Sequence, residues 1–160
     1  MEQKRSGRRE GAGADMPGNT VACSLRVRYF ETDQMGVAHH AHYAVWFEAA
    51  RSELCRLNQI DYAAMERDGM LLPVVQINVR YISPARYDDD ITVFTWVLYV
   101  RRSLLALRYK VTRGETVLAT GETMQVLVDR VTGKPRQFPA EIAKRFTQPS
   151  RGLSDETQSQ

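Results

Sequence analysis

The chain has 160 residues, 43% of them hydrophobic and 26% charged, with a formal net charge of +3, proportions ordinary for one globular domain. No run approaches the roughly 18 apolar residues of a membrane-spanning helix, and the polar, Gly-punctuated start lacks the apolar stretch of a secretory signal, so a cytoplasmic protein without a membrane span is expected. The small basic excess comes without a long basic block, which speaks against nucleic acid as the partner and fits equally a basic site for a phosphorylated small molecule.

Residues 1–18 mix Lys4, Arg5, Arg8 and Arg9 with Glu2, Glu10 and Asp15 and carry no apolar periodicity; they read as a disordered tail, as does the Ser-, Thr- and Gln-rich segment 147–160. One domain over 19–146 is left. In it Leu25, Val27 and Tyr29 alternate with Ser24, Arg26 and Arg28, the period of a half-buried strand. That strand delivers Asp33 into a loop that turns at Gly36, and a helix is expected to start near His40 or Ala41. Trp46, Phe47, Ala50, Leu54 and Leu57 then recur at helical spacing.

A second short helix near 61–67 is stopped by Gly69, and Val75, Ile77, Val79 and Tyr81 restart a strand that Pro84 ends. Three long strands follow at about 91–100, 104–112 and 117–129, the last two joined by the Arg113-Gly114-Glu115 turn, and a helix at 140–146 closes the domain. Strand, helix, then an antiparallel run reads as α+β. Neither a Gly-x-Gly-x-x-Gly nor a Gly-Lys-Ser/Thr loop occurs, which removes the usual dinucleotide and nucleotide sites. Cys23 and Cys55, without Cys-x-x-Cys spacing, are expected as free buried thiols.

The stretch Tyr29-x-x-Thr32-Asp33-x-x-Gly36-Val37-x-x-His40-x-x-Tyr43, followed by Trp46-Phe47-Glu48-Ala49-Ala50-Arg51, resembles the 4-hydroxybenzoyl-CoA thioesterase family, and within it the YbgC-like acyl-CoA thioesterases. The likeness runs from about Val21 to Phe146 and takes in Pro73-Val74-Val75 and Gly121-Glu122. It implies a hotdog fold, one long helix wrapped by an antiparallel sheet, assembled as homodimers or homotetramers with active sites between subunits. It also implies hydrolysis of an acyl-CoA thioester, with no metal or organic cofactor.

Asp33 alone reads as a turn cap; the resemblance makes it the catalytic carboxylate, acting as nucleophile or as base for water. By motif position the backbone amide of His40 becomes the oxyanion donor, assisted by the helix dipole, with its imidazole left open. His39, His40 and His42 are the chain's three histidines; their spacing does not make a zinc set, and they read as loop groups that hydrogen-bond backbone. Tyr43 is either a buried ring or part of the acyl pocket. Glu48 and Arg51 can pair across one helical turn. Arg102, Lys134 and Arg136 are candidate contacts for the nucleotide phosphates, each weighed against a plain solvated charge. The run Asp88-Asp89-Asp90 reads as a solvated turn. Thioesters of acyl carrier protein are the alternative substrate, and a non-catalytic acyl-CoA-binding module the alternative class.

Overall fold

A computed structural model describes residues 16–148; the tails expected at 1–18 and 147–160 lie almost wholly outside them. Five strands form one antiparallel sheet in the order β1-β4-β5-β6-β3, with β1 Val21–Arg26, β3 Val74–Tyr81, β4 Asp90–Arg101, β5 Leu104–Arg113 and β6 Thr116–Val126. Helix α1, His42–Leu57, lies across one face, α2 Tyr62–Arg67 packs against the short strand β2, Met70–Leu71, and α3 Ala140–Thr147 against β4. The two-residue strand β2 pairs with β7, Val128–Asp129.

The core follows from two periodicities meeting. Tyr43, Trp46, Phe47, Ala50 and Leu54 line the buried side of α1, while Val93, Val97, Leu105, Leu107, Tyr109 and Val111 on alternate sheet positions meet them. Phe47 stacks on Tyr109 with ring centroids 4.2 Å apart. α2 starts at Asp61, whose carboxylate caps the Ala64 N–H at 3.1 Å. Cys55 is buried and Cys23 half-buried, both free.

Two expected boundaries move. Tyr29 does not extend β1: it opens a 3₁₀ turn, Tyr29–Glu31, and is 78% exposed. The Glu31 carboxylate bonds back to the Arg28 N–H at 2.7 Å and curls the chain there. The last long strand stops at Val126: the Leu127 N–H still donates to the Ser103 carbonyl at 2.7 Å, and Val128 and Asp129 beyond it pair with Leu71 and Met70 as β7. Asp88 and Asp90 bind Arg26, and Asp89 binds Arg113, so the acidic turn is tied to neighbouring strands rather than only to water.

β3 is an edge strand. It pairs with β6 alone, and Val74, Val75, Ile77 and Tyr81 on it are each about half exposed. Helix α1 lies closest to β1 and β4 and reaches β5 and β6 through Phe47, while the side chains of β3 stay largely exposed.

Candidate active site

Segment 31–39 is a closed loop. The His39 N–H donates to the Glu31 carbonyl at 2.8 Å, Thr32 and Ala38 form an antiparallel bridge, and the Asp33 N–H donates to the Val37 carbonyl at 3.0 Å. Gly36 turns the tip with φ +73°, a left-handed conformation that a side chain would strain. Two further bonds fasten the loop to the connection between β3 and β4: the Ala38 N–H to the Ala85 carbonyl at 2.8 Å, and Arg86 Nη1 to the Gly36 carbonyl at 3.3 Å.

Asp33 is half-buried on this loop. Its Oδ1 accepts the Met35 N–H at 2.8 Å, so the turn-capping role is real, while Oδ2 has no partner among the described residues. Capping with one oxygen leaves the other for chemistry.

The loop leads straight into α1. The Ala41 N–H donates to His39 Nδ1 at 3.2 Å and the His42 N–H to the His39 carbonyl at 3.0 Å. Among the described residues no acceptor takes the N–H of His40, which lies between these committed groups. A trans peptide sets N–H and C=O on opposite sides. Since the His39 carbonyl faces into the helix, the His40 N–H faces out of its N-terminal end, where the positive pole of the helix dipole lies. The exposed His40 stacks on His39 with ring centroids 4.0 Å apart, and its carbonyl accepts the Tyr81 hydroxyl at 3.0 Å. His39 thus serves as a helix cap.

Glu31 is what sequence reasoning missed. It is 1% exposed, and its carboxylate accepts the Arg28 N–H at 2.7 Å, Arg28 Nη2 at 2.8 Å and Trp46 Nε1 at 3.1 Å. Burial pushes this carboxyl up; the hydrogen bonds from Arg28 and Trp46 outweigh it and hold the group below its ordinary value. The Arg28-x-x-Glu31 spacing was the available signal.

Tyr43 is 2% exposed, against Trp46 at 4.6 Å and edge-on to Tyr81 at 5.0 Å. Burial raises its phenol, and a hydrogen bond with the Ala85 backbone opposes that rise. Within the chain its role is packing, and Tyr81 is the ring open to solvent. Glu48 and Arg51 form no ion pair; Arg51 turns toward Tyr109 and Tyr62. Burial opposes its charge, and these neighbours more than offset it. Thr95 Oγ1, the Tyr62 hydroxyl and Gln125 Oε1 beside them are buried without a well-formed hydrogen bond, although Tyr62 lies close to Gln125 and Cys55.

The proposed cations gather at the other end of the molecule. Arg102 occupies the β4–β5 turn with φ +49°, held by the Phe138 N–H on its carbonyl at 2.9 Å. Arg136 donates its N–H to the Leu127 carbonyl, and Lys134 accepts at its own carbonyl from the Asp129 N–H. Arg136 Nη1 also stands 3.9 Å from Asp129, whose carboxyl is lowered first by the Thr132 N–H and least by Arg136. These three residues do share one surface. The Asp33 loop, however, packs where β4 begins, with Val27 bonded to Asp88 and Asp89. The twelve residues of β4 put roughly 35 Å between the two ends at about 3.3 Å per residue. A single chain does not bring Arg102, Lys134 and Arg136 to Asp33.

Among the described residues no group of three His, Cys, Asp or Glu side chains could hold a metal ion, and no helix is long and apolar enough to cross a membrane.

Residues 27–146 match the thioesterase-like superfamily. The acyl-CoA thioester hydrolase YbgC of Escherichia coli is 33% identical over 125 residues, 78% of this chain and 93% of that protein. The 4-hydroxybenzoyl-CoA thioesterase of a Pseudomonas species is 26% identical over 97 residues, 59% of this chain and 69% of that one. The crystal structure of a DHNA-CoA thioesterase from Staphylococcus aureus superposes with a TM-score of 0.71 at 33% identity, over 74% of this chain and 80% of that one. The α+β expectation holds, and the sheet around α1 is the hotdog fold. Motif, loop and fold agree: the chain belongs to the thioesterase-like superfamily.

Proposed function

We propose that this protein hydrolyses acyl-CoA thioesters to the free acid and coenzyme A. The observation that carries the reading is the 31–39 loop, which holds a carboxylate with a spare oxygen and, at its far end, an unpartnered amide on a helix N-terminus. Asp33 attacks the thioester carbonyl itself or removes a proton from the attacking water. The carbonyl oxygen gathers negative charge as the C–O bond forms, and the His40 N–H with the helix dipole stabilises it. The C–S bond then breaks and coenzyme A leaves as thiolate, which gives the free acid directly where water attacked, or an anhydride on Asp33 that water hydrolyses to the acid where the carboxylate attacked. Water, a carboxylate and the amide supply the whole reaction, so neither metal nor organic cofactor is required. Incubation with acetyl-, hexanoyl-, palmitoyl- and benzoyl-CoA in the presence of a thiol reagent tests this; no thiol release from any of the four would overturn it.

The working unit in this proposal is at least a homodimer, paired through β3. An exposed apolar edge strand is a template for another chain, and a two-fold interface brings the same patch from each copy. Antiparallel pairing of β3 with its mate reverses direction, so the Val74 end of one strand meets the Tyr81 end of the other. Because Arg102 and Lys134 lie toward the Val74 end of the sheet, the partner's cations would come toward the Asp33 loop. The double variant Val75→Lys/Ile77→Lys is expected to sediment as a monomer of 18.3 kDa and to lose thioesterase activity. Full activity in a variant shown to be monomeric would end the shared-site reading.

The cations should act on binding far from the reacting carbonyl. Arg102→Ala, Lys134→Ala and Arg136→Ala are expected to raise KM more than they lower kcat. Charge contacts are screened over about 8 Å at physiological ionic strength, so the parent's KM should climb with salt while the variants respond less. A truncated pantetheine thioester with the same acyl group gives the control. Equal handling of both esters, with KM unchanged in all three variants, would move the nucleotide elsewhere and favour a carrier-protein substrate.

A further inference from the structure

Glu31 is not a reacting group in the scheme above, yet its contacts close the loop that carries both reacting components. Its carboxylate, 1% exposed, fixes the start of the loop to Arg28 and to the indole of Trp46 on α1. Its backbone carbonyl holds the His39 N–H at 2.8 Å, one residue ahead of the amide assigned to the oxyanion. A buried carboxylate with all its donors supplied is a rigid post, and without it the indole N–H of the buried Trp46 is stranded away from water. The ion pair with Arg28 at 2.8 Å also cancels the carboxylate's charge. Glu31 can therefore stand close to an anionic intermediate without strongly repelling it.

We propose that Glu31 is the positioning residue of this site: its side chain anchors the carbonyl that seats His39, and so aims the His40 N–H at the developing oxyanion. The inference rests on the thioesterase reading. The chain of attachment runs from Trp46 through the Glu31 carboxylate to the Glu31 backbone, across to His39, and on to the free amide. Asp33 hangs two residues beyond Glu31 on the same closed loop, so both components move if the post moves. The role is distinct from packing, because the groups it orients are backbone donors whose worth depends on fractions of an ångström.

Glu31→Gln tests it with little change in shape. Oε2 accepts the Arg28 N–H and Oε1 accepts Arg28 Nη2 and Trp46 Nε1, so the new NH₂ must face a donor in either orientation. The expected result is a kcat lower by roughly 10- to 100-fold, below or at the cost of losing an oxyanion donor, with KM within about twofold. Leu54→Val, a buried change on α1 well away from the loop, serves as the stability control: it should lower the melting temperature and leave kcat unaltered. Trp46→Phe removes one donor and leaves the Arg28 pair, so an intermediate loss is expected; this variant decides the matter if Glu31→Gln does not fold. Unchanged kcat in Glu31→Gln, or in Trp46→Phe where only that variant folds, overturns the proposal, as does a kcat loss in Leu54→Val matching that of Glu31→Gln. Parent enzyme without activity on any acyl-CoA would instead overturn the thioesterase reading on which this one stands.

Discussion

Asp33→Asn should leave a folded protein whose turnover of acyl-CoA falls by about 10²- to 10⁴-fold, the size expected when a general base or nucleophile is removed. The fold should survive because the loop does not depend on the charge. Asn keeps an Oδ1 that can accept the Met35 N–H, and the bonds of Asp33 N–H to Val37 and of Gly36 N–H to Asp33 are backbone bonds. KM should change little, since the carboxylate meets the reacting carbon and not the nucleotide. His40→Ala is the natural comparison. Its amide remains, so most turnover should remain if the backbone alone stabilises the oxyanion. A deficit in His40→Ala as deep as that in Asp33→Asn would make the imidazole a participant, and near-normal hydrolysis by Asp33→Asn would remove the carboxylate from the mechanism.

Local pattern made the elements legible, and long-range register hid the rest. Alternation located β3 through Val75, Ile77, Val79 and Tyr81 although that strand stays largely exposed, and the apolar stripe from Trp46 to Leu54 located α1. The reacting pair was readable because Asp33, Gly36 and His40 lie within eight consecutive residues. Glu31 was passed over because a charged residue just after a strand usually faces water; its burial depends on Trp46, which only the turn into α1 brings back. The cations illustrate the converse. Arg102, Lys134 and Arg136 do cluster as a rim, through Phe138 and Leu127. Their distance from Asp33 follows from strand direction in the order β1-β4-β5-β6-β3, which residue spacing does not encode. The pairing of β2 with β7 is likewise two residues long, too short for any periodicity.

Gly121→Ala should destabilise the protein sharply, and for want of space alone. Gly121 does not adopt a left-handed conformation; a Cβ there would stand 2.4 and 2.5 Å from two ring carbons of Phe47 and 2.8 Å from the Asn78 carbonyl oxygen. Neither neighbour can step aside cheaply. Phe47 is fully buried and stacked 8° from parallel on Tyr109, and Asn78 belongs to the β3–β6 ladder, in which Val79 faces Gly121. The added methyl must therefore lift α1 or push β3 outward, and overpacking of this kind costs typically 1–3 kcal/mol and sometimes more. On a domain of this size that corresponds to a fall in melting temperature of roughly 2–12 °C. Because β3 is also the proposed dimer edge, a shift there should weaken association alongside stability. Gly114→Ala separates space from backbone strain: Gly114 has φ +54° and nothing near its missing Cβ, so it should lose only about 1 kcal/mol or slightly more. The measurement is thermal unfolding of the parent and both variants at equal concentration. If Gly121→Ala melts no lower than Gly114→Ala, contact between α1 and β6 is looser than the stacked rings imply, and the close approach that seats α1 on the sheet is not what fixes the helix carrying the active site.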